Sequence, residues 1–230
     1  MSSERELVLS RVRAAMAAGS GAGAETPARA YRRTGTLDHE ARIQLLRERI
    51  GDYRAQVRGV GGGELVEAIE AAFADAGARR VAIPAGVPVA WRPRRFELVE
   101  DAGLRHAELD AFDGVLTGAT LAIAQTGTIV LSGAPAEGRR ALTLIPDLHV
   151  CVVEEHQVVE TVPEAITQLA HLGRRPITLI SGPSATSDIE LRRVEGVHGP
   201  RTLHVLLLAG EGGAVQLPCP RSTRGRNRHE

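Results

Sequence analysis

His149-Val150-Cys151-Val152-Val153 opens the stretch that decides the fold: a continuous apolar run of strand length. Pro163 then starts a helix in which Ile166, Leu169 and Ala170 are spaced to face inward, and Gly173 stops it. Ile177 to Ile180 is a second apolar run, and Leu203-His204-Val205-Leu206-Leu207-Leu208 a third, the most buried in character. Buried strands separated by a helix indicate an α/β domain with a largely parallel sheet and flanking helices.

The alternation continues towards the N-terminus. Asp113 to Thr117 and Thr128 to Leu131 read as strands, as do Val81-Ala82-Ile83 and Phe96 to Val99, while Val158-Val159 continues the 149–153 strand beyond a turn. Leu65, Ile69, Phe73 and Ala76 line one face of a helix that stops at Gly77. Ahead of the turn Gly61-Gly62-Gly63, residues 38–60 carry a narrow seam: Ile43, Leu46, Ile50, Tyr53, Val57 and Val60. That spacing predicts one helix, lying along its own domain or serving a partner, with Gly51 a weak point inside it. Residues 3–16 predict an N-terminal helix, with Ser3 and Glu6 as a capping box and Val8, Val12 and Met16 four residues apart. The expected organisation is a helix and flexible linker over 1–36, one α/β domain over 37–210, and a disordered basic tail over 211–230.

The chain has 28 basic and 28 acidic residues, and every basic one is arginine. Without lysine there is no Schiff-base chemistry and no Walker-type phosphate lysine. Zero net charge argues against nucleic acid or an anionic membrane as partner. Apolar residues make up 43% but aromatics only 3%, so the core is aliphatic. No apolar run approaches the about 18 residues of a membrane span, and the N-terminus lacks the order of a signal peptide, so a cytoplasmic protein is expected. Cys151 and Cys219 make neither a disulfide framework nor a metal site.

Three polar, glycine-bearing segments hold the candidate chemistry, expected beyond the carboxyl ends of the strands. In Gln125-Thr126-Gly127-Thr128, hydroxyls and backbone N–H groups share one tight turn, which suits a carboxylate or phosphate oxygen; the same residues also suit a plain turn. Ser181 to Glu190 leaves a strand and opens a predicted helix, with Ser187 and Glu190 as a capping box. Ser181, Gly182, Ser184 and Thr186 could bind an anion there, although Asp188 and Glu190 in the same first turn would repel one facing them. Thr186 stands where a serine-hydrolase nucleophile elbow needs glycine, which argues against a Ser184-Asp188-His198 triad. In Gly196-Val197-His198-Gly199-Pro200, a histidine between glycines can serve as acid, base or hydrogen-bond donor. His106, His149, His156 and His171 fall on predicted surfaces or strand ends, and no histidine pair has metal-ligand spacing. Any anion must be held by arginine, backbone N–H groups or hydroxyls, and arginine is scarce within the three motifs.

Ala122 to Val130, Ser181 to Glu190 and Gly196 to Pro200 together resemble the lactate-utilisation protein C family, the LUD-domain proteins, over roughly residues 40–210 and the N-terminal helix. Gln125 departs from the resemblance, which leads one to expect an acidic residue there. The resemblance implies a fold like that of CoA transferases and ribose-5-phosphate isomerases. It also implies an accessory part in oxidising L-lactate to pyruvate beside iron–sulfur partner proteins, with the clusters in the partners and no cofactor in this chain. A small carboxylate or phosphate would meet Thr126, Gly127, Thr128, Ser181, Gly182, Ser184, Thr186 and Gly199. The alternative is a stand-alone isomerase or CoA-transferase for a sugar phosphate or acyl-CoA, with Asp188 or Glu190 as base or nucleophile and His198 assisting. The missing lysine weighs against the isomerase, since isomerases of that fold use lysines around the substrate.

Overall fold

The computed structural model describes residues 4–19, 31–187, 193–195 and 199–210. Two compact units divide the chain, 1–32 and 33–230. The first contains helix α1 (Glu4–Gly19), whose Glu4 and Glu6 sit in the first turn, where acidic side chains complement the helix dipole. Ser3, residues 20–30 of the expected linker and the expected tail at 211–230 lie outside the described residues.

The second unit begins with α2 (His39–Asp52), capped by Asp38, whose carboxylate accepts the Ala41 N–H at 2.8 Å. Ile43, Leu46 and Ile50 are its buried seam. The expected helix to residue 60 is not formed. Arg54 turns the chain with φ of 62°, and Gln56–Val60 is strand β1, paired parallel with the far strand of the chain so that Val57 lies opposite Val205. Valine suits a ladder better than a helix, and a long apolar partner strand outweighs the helical spacing of Tyr53, Val57 and Val60.

Helix α3 (Leu65–Asp75) buries Leu65, Ile69 and Phe73 as their spacing predicts, with Ala72 inside in place of the exposed Ala76. Then come β2 (Arg80–Ile83), β3 (Glu97–Glu100), the short α4 (His106–Leu109), β4 (Gly114–Thr117), β5 (Leu121–Ile123), β6 (Thr128–Leu131), β7 (Leu148–Glu154) and β8 (Val158–Val159). Helix α5 (Val162–Leu169) starts at a reciprocal cap: Thr161 Oγ1 accepts the Glu164 N–H, and the Glu164 carboxylate accepts the Thr161 N–H at 2.8 Å. Its inward residues are Ala165 and Leu169, whereas Ile166 and Ala170, both expected inside, are exposed. Strands β9 (Thr178–Ile180), β10 (Ala185–Ser187), β11 (Arg193–Glu195) and β12 (Thr202–Leu208) follow.

Six strands form an all-parallel sheet in the order β1-β12-β7-β4-β2-β3. Alternate residues divide its two faces. Val150, Val152 and Leu206 pack with α3, while Cys151, Val153, Val205 and Leu207 pack with the α2 seam and with Ala122, Ile129 and Leu131. Those last three belong to a second sheet, β8-β5-β6-β9, with antiparallel β5–β6 and β6–β9 pairs. Its other face turns Leu121, Ile123 and Val130 towards Ala165 and Leu169 of α5. The sequence pattern predicts one sheet and no strand at 121–123. In the structure, Val158-Val159 leaves the parallel sheet to pair with β5, and residues 178–180 pair with β6.

Candidate functional site

The first two segments meet at the C-terminal end of α2. Gly127 has φ of 58°, and a Cβ there would lie 2.7 Å from the Arg49 carbonyl carbon. Gly182 has φ of 83°, and its Cβ would lie 2.4 Å from Tyr53 Cβ. Each turn needs glycine both for its backbone angle and for room beside the helix. Between the two turns runs a line of hydroxyls: Thr126 Oγ1 to Thr128 Oγ1 at 2.7 Å, then Thr128 Oγ1 to Ser181 Oγ at 2.8 Å. The third segment joins through the Ser184 N–H, which donates to the Pro200 carbonyl at 2.8 Å.

A cavity of about 230 Å³ opens beside this junction, lined by Ser181, Gly182, Ser184 and Gly199 together with Arg140, Thr143 and His149. Thr126, Gly127 and Thr128 stand behind Ser181 and are not in its lining. Its position differs from the expectation. It lies at the amino ends of β7 and β12, where His149 and Leu203 enter the sheet, because the 132–147 connection and the residues after β9 come together there. Asp188, Glu190 and His198 lie outside the described residues. The helix expected to open at Ser184–Ser187 is instead strand β10, antiparallel to β11, with Thr186 opposite Val194. Threonine and valine are β-branched and favour a strand over a helix start.

Three buried side chains stand around the site, His149 at the cavity and Cys151 and Glu137 outside its lining. His149, expected at a surface or strand end, is buried, and its Nε2 lies 2.7 Å from Thr117 Oγ1. Burial, helped by the nearby Arg140 charge, pushes its pKa down to about 4, so the imidazole is neutral at physiological pH. Burial likewise pushes the Cys151 thiol up to about 12, so this cysteine is no nucleophile. Glu137 is buried in the 132–147 connection and accepts the N–H groups of Ser132 at 2.6 Å and Ala134 at 2.9 Å, and the Thr120 hydroxyl. Its only sequence signal is a single acid between Gly133 and Gly138 in a run of small residues.

Arg140 is the cationic group of the cavity. It is exposed and has no ion-pair partner among the described residues, in contrast to its neighbour Arg139, whose Nε lies 2.7 Å from Asp101 Oδ2. Where the motifs suggested anion binding with little arginine, the fold brings one in from a connection outside them. A guanidinium, hydroxyls and glycine backbone in one small cavity can hold a carboxylate. Among the described residues, no group of three or more His, Cys, Asp or Glu side chains is placed to hold a metal ion, and no helix is long and apolar enough to cross a membrane.

Comparison with known proteins matches residues 69–208 to the LUD domain. Lactate utilization protein C of Deinococcus radiodurans is 50% identical over 169 residues, 72% of this chain and 79% of that protein. The chain belongs to the LUD-domain family of lactate utilization proteins C. Lactate utilization protein C of Bacillus pumilus is 36% identical over 118 residues, 48% of each chain. The crystal structure of a DUF162 family protein from Deinococcus radiodurans superposes with a TM-score of 0.67 at 42% identity, covering 76% of this chain and all of that one. The LUD match ends with β12 and contains the hydroxyl line, the cavity and Glu137, while α2, which both glycine turns abut, precedes it.

Proposed function

We propose that the chain is a cytoplasmic accessory subunit of a system that oxidises L-lactate to pyruvate. In this reading it holds the small carboxylate in the cavity between Arg140 and the Ser181–Ser184 turn, while iron–sulfur partner proteins carry the electrons. The observation that carries the reading is Arg140, an arginine without an ion-pair partner among the described residues at a cavity lined by hydroxyls and glycine. A cavity of about 230 Å³ suits a three-carbon acid better than a large ligand. Family membership supports the lactate connection, through relatives that bear the name lactate utilization protein C. The neutral, buried His149 adds no second positive charge to the cavity, which leaves Arg140 as its cation.

Affinity purification of the tagged full chain from cells grown on L-lactate tests the subunit assignment. Co-purification of proteins with iron–sulfur absorbance, together with no lactate oxidation by the isolated chain, is expected. Lactate turnover by the pure, metal-free chain would overturn it. Stabilisation by a sugar phosphate or acyl-CoA alone, and by no hydroxy acid, would favour the isomerase or transferase alternative.

A further inference from the structure

A second cavity, of about 490 Å³, lies beyond the carboxyl ends of β2 and β3, where Pro84 and Asp101 follow the last strand residues. Parallel α/β sheets bind ligands at such ends. This volume falls within the range of about 300–1,000 Å³ that accommodates drug-sized and cofactor-sized organic molecules. Its walls are largely apolar: Pro84, Ala85, Leu131, Ala134, Pro135 and Pro176. Two of its lining residues, Arg140 and Thr143, also line the small cavity, so the two spaces adjoin at Arg140.

The polar groups of this space are of two kinds. Arg139 is committed to the protein: Nε and Nη2 lie 2.7 and 3.0 Å from the two Asp101 oxygens, and Nη2 also reaches the Leu104 carbonyl. The Asp101 side chain is only 3% exposed, and although burial draws its carboxyl up, the Arg139 and backbone hydrogen bonds hold it below the ordinary value. Arg140, by contrast, has no ion-pair partner among the described residues. The walls are also preformed. Glu137 fixes Ser132 and Ala134 by their N–H groups, and the Gly86 N–H donates to the Pro135 carbonyl at 3.1 Å. A Cβ on Gly86 would lie 2.4 Å from Pro135, so the two loops forming the cavity rim are in direct contact. A preformed cavity loses little entropy when a ligand enters.

We propose that this cavity binds a second ligand, an organic anion of cofactor size with an apolar body between the proline walls and its acidic group on Arg140. It differs from the small carboxylate in size and in the apolar surface it requires, and it would lie beside it.

Anilinonaphthalene sulfonate, an apolar aryl body with one anionic group, is the probe. Fluorescence titration of the full chain is expected to show saturable binding at one site. Ala85→Trp and Thr178→Trp, which fill the cavity from an exposed and a half-buried position, should each weaken it at least tenfold, and Arg140→Ala about tenfold. Thermal unfolding of each variant identifies any that fails to fold, and the remaining ones decide. The tryptophan variants should leave pyruvate-induced stabilisation at the small cavity unchanged, so failure of this inference is separable from failure of the lactate reading. No saturable binding by the native chain, or binding unaltered in the folded variants, would overturn the proposal.

Discussion

Replacing Glu137 by alanine removes the side-chain acceptor of two backbone N–H groups, those of Ser132 at 2.6 Å and Ala134 at 2.9 Å, and of the Thr120 hydroxyl. Glu137 is 1% exposed, so water has little access to take over. Each buried donor left unpaired costs about 1–3 kcal/mol. The Thr120 hydroxyl keeps Ser132 Oγ at 2.7 Å as a partner, so the two amides dominate and the expected loss is about 3 kcal/mol. At about 2–4 °C per kcal/mol for a chain of this length, Tm should fall by roughly 6–12 °C. Glu137→Gln is the informative control. Its carbonyl oxygen can keep both amides while its NH2 group meets the Thr120 hydroxyl, which turns its proton towards Ser132. Only the charge assistance is lost, about 1 kcal/mol. Urea denaturation of the three proteins measures both steps. An alanine variant within about 1 kcal/mol of wild type, or a glutamine variant as damaged as alanine, would contradict this role of Glu137.

Gly127→Ala should cost about 2 kcal/mol or more, because the new Cβ meets the Arg49 backbone at 2.7 Å and φ is 58°; hydrogen exchange should show the last turn of α2 opening first, and normal protection there would count against the close packing. Stability should also fall as pH drops from about 6.5 to 4. His149 has its folded pKa depressed to about 4, so the unfolded chain binds the extra proton in that window and folding weakens as pH falls, by at most about 3 kcal/mol. His204, also lowered by burial, adds in the same direction, so the difference between wild type and His149→Gln isolates the first histidine. Urea midpoints at pH 7 and pH 5 measure it; an identical pH slope in both proteins would contradict a neutral, buried His149.

Much of the fold is legible in the sequence where burial alone decides. The 149–153 and 203–208 runs are strands of the parallel sheet, and the Leu65-Ile69-Phe73 spacing is a helix, because each buries a face large enough to override local alternatives. Residues 53–60 are misread because Val57 and Val60 fit a helical seam and a strand equally well, and only the distant β12 decides between them. The second sheet is invisible for the same reason: β5, β6, β8 and β9 are short, and their pairing depends on contacts remote in sequence.

The site divides similarly. The turns at Gly127 and Gly182 can be found from their glycines and hydroxyl neighbours, although much of what the glycines do is make room for α2. Arg140, His149 and Glu137 are single residues without a motif. Arg140 and Glu137 are placed by the path of the 132–147 connection and His149 by the start of β7, which no local pattern announces.

The proposed role of Arg140 is to anchor a small carboxylate in the cavity beside Ser181 and Ser184. Isothermal titration of the full chain with pyruvate and with L-lactate, for wild type, Arg140→Ala and Arg140→Lys, tests it most directly. Saturable one-to-one binding by wild type is expected, weakened at least tenfold by alanine and less by lysine, which keeps the charge but not the bidentate fork. Equal binding by wild type and the alanine variant, or no binding of either acid by wild type, would contradict it.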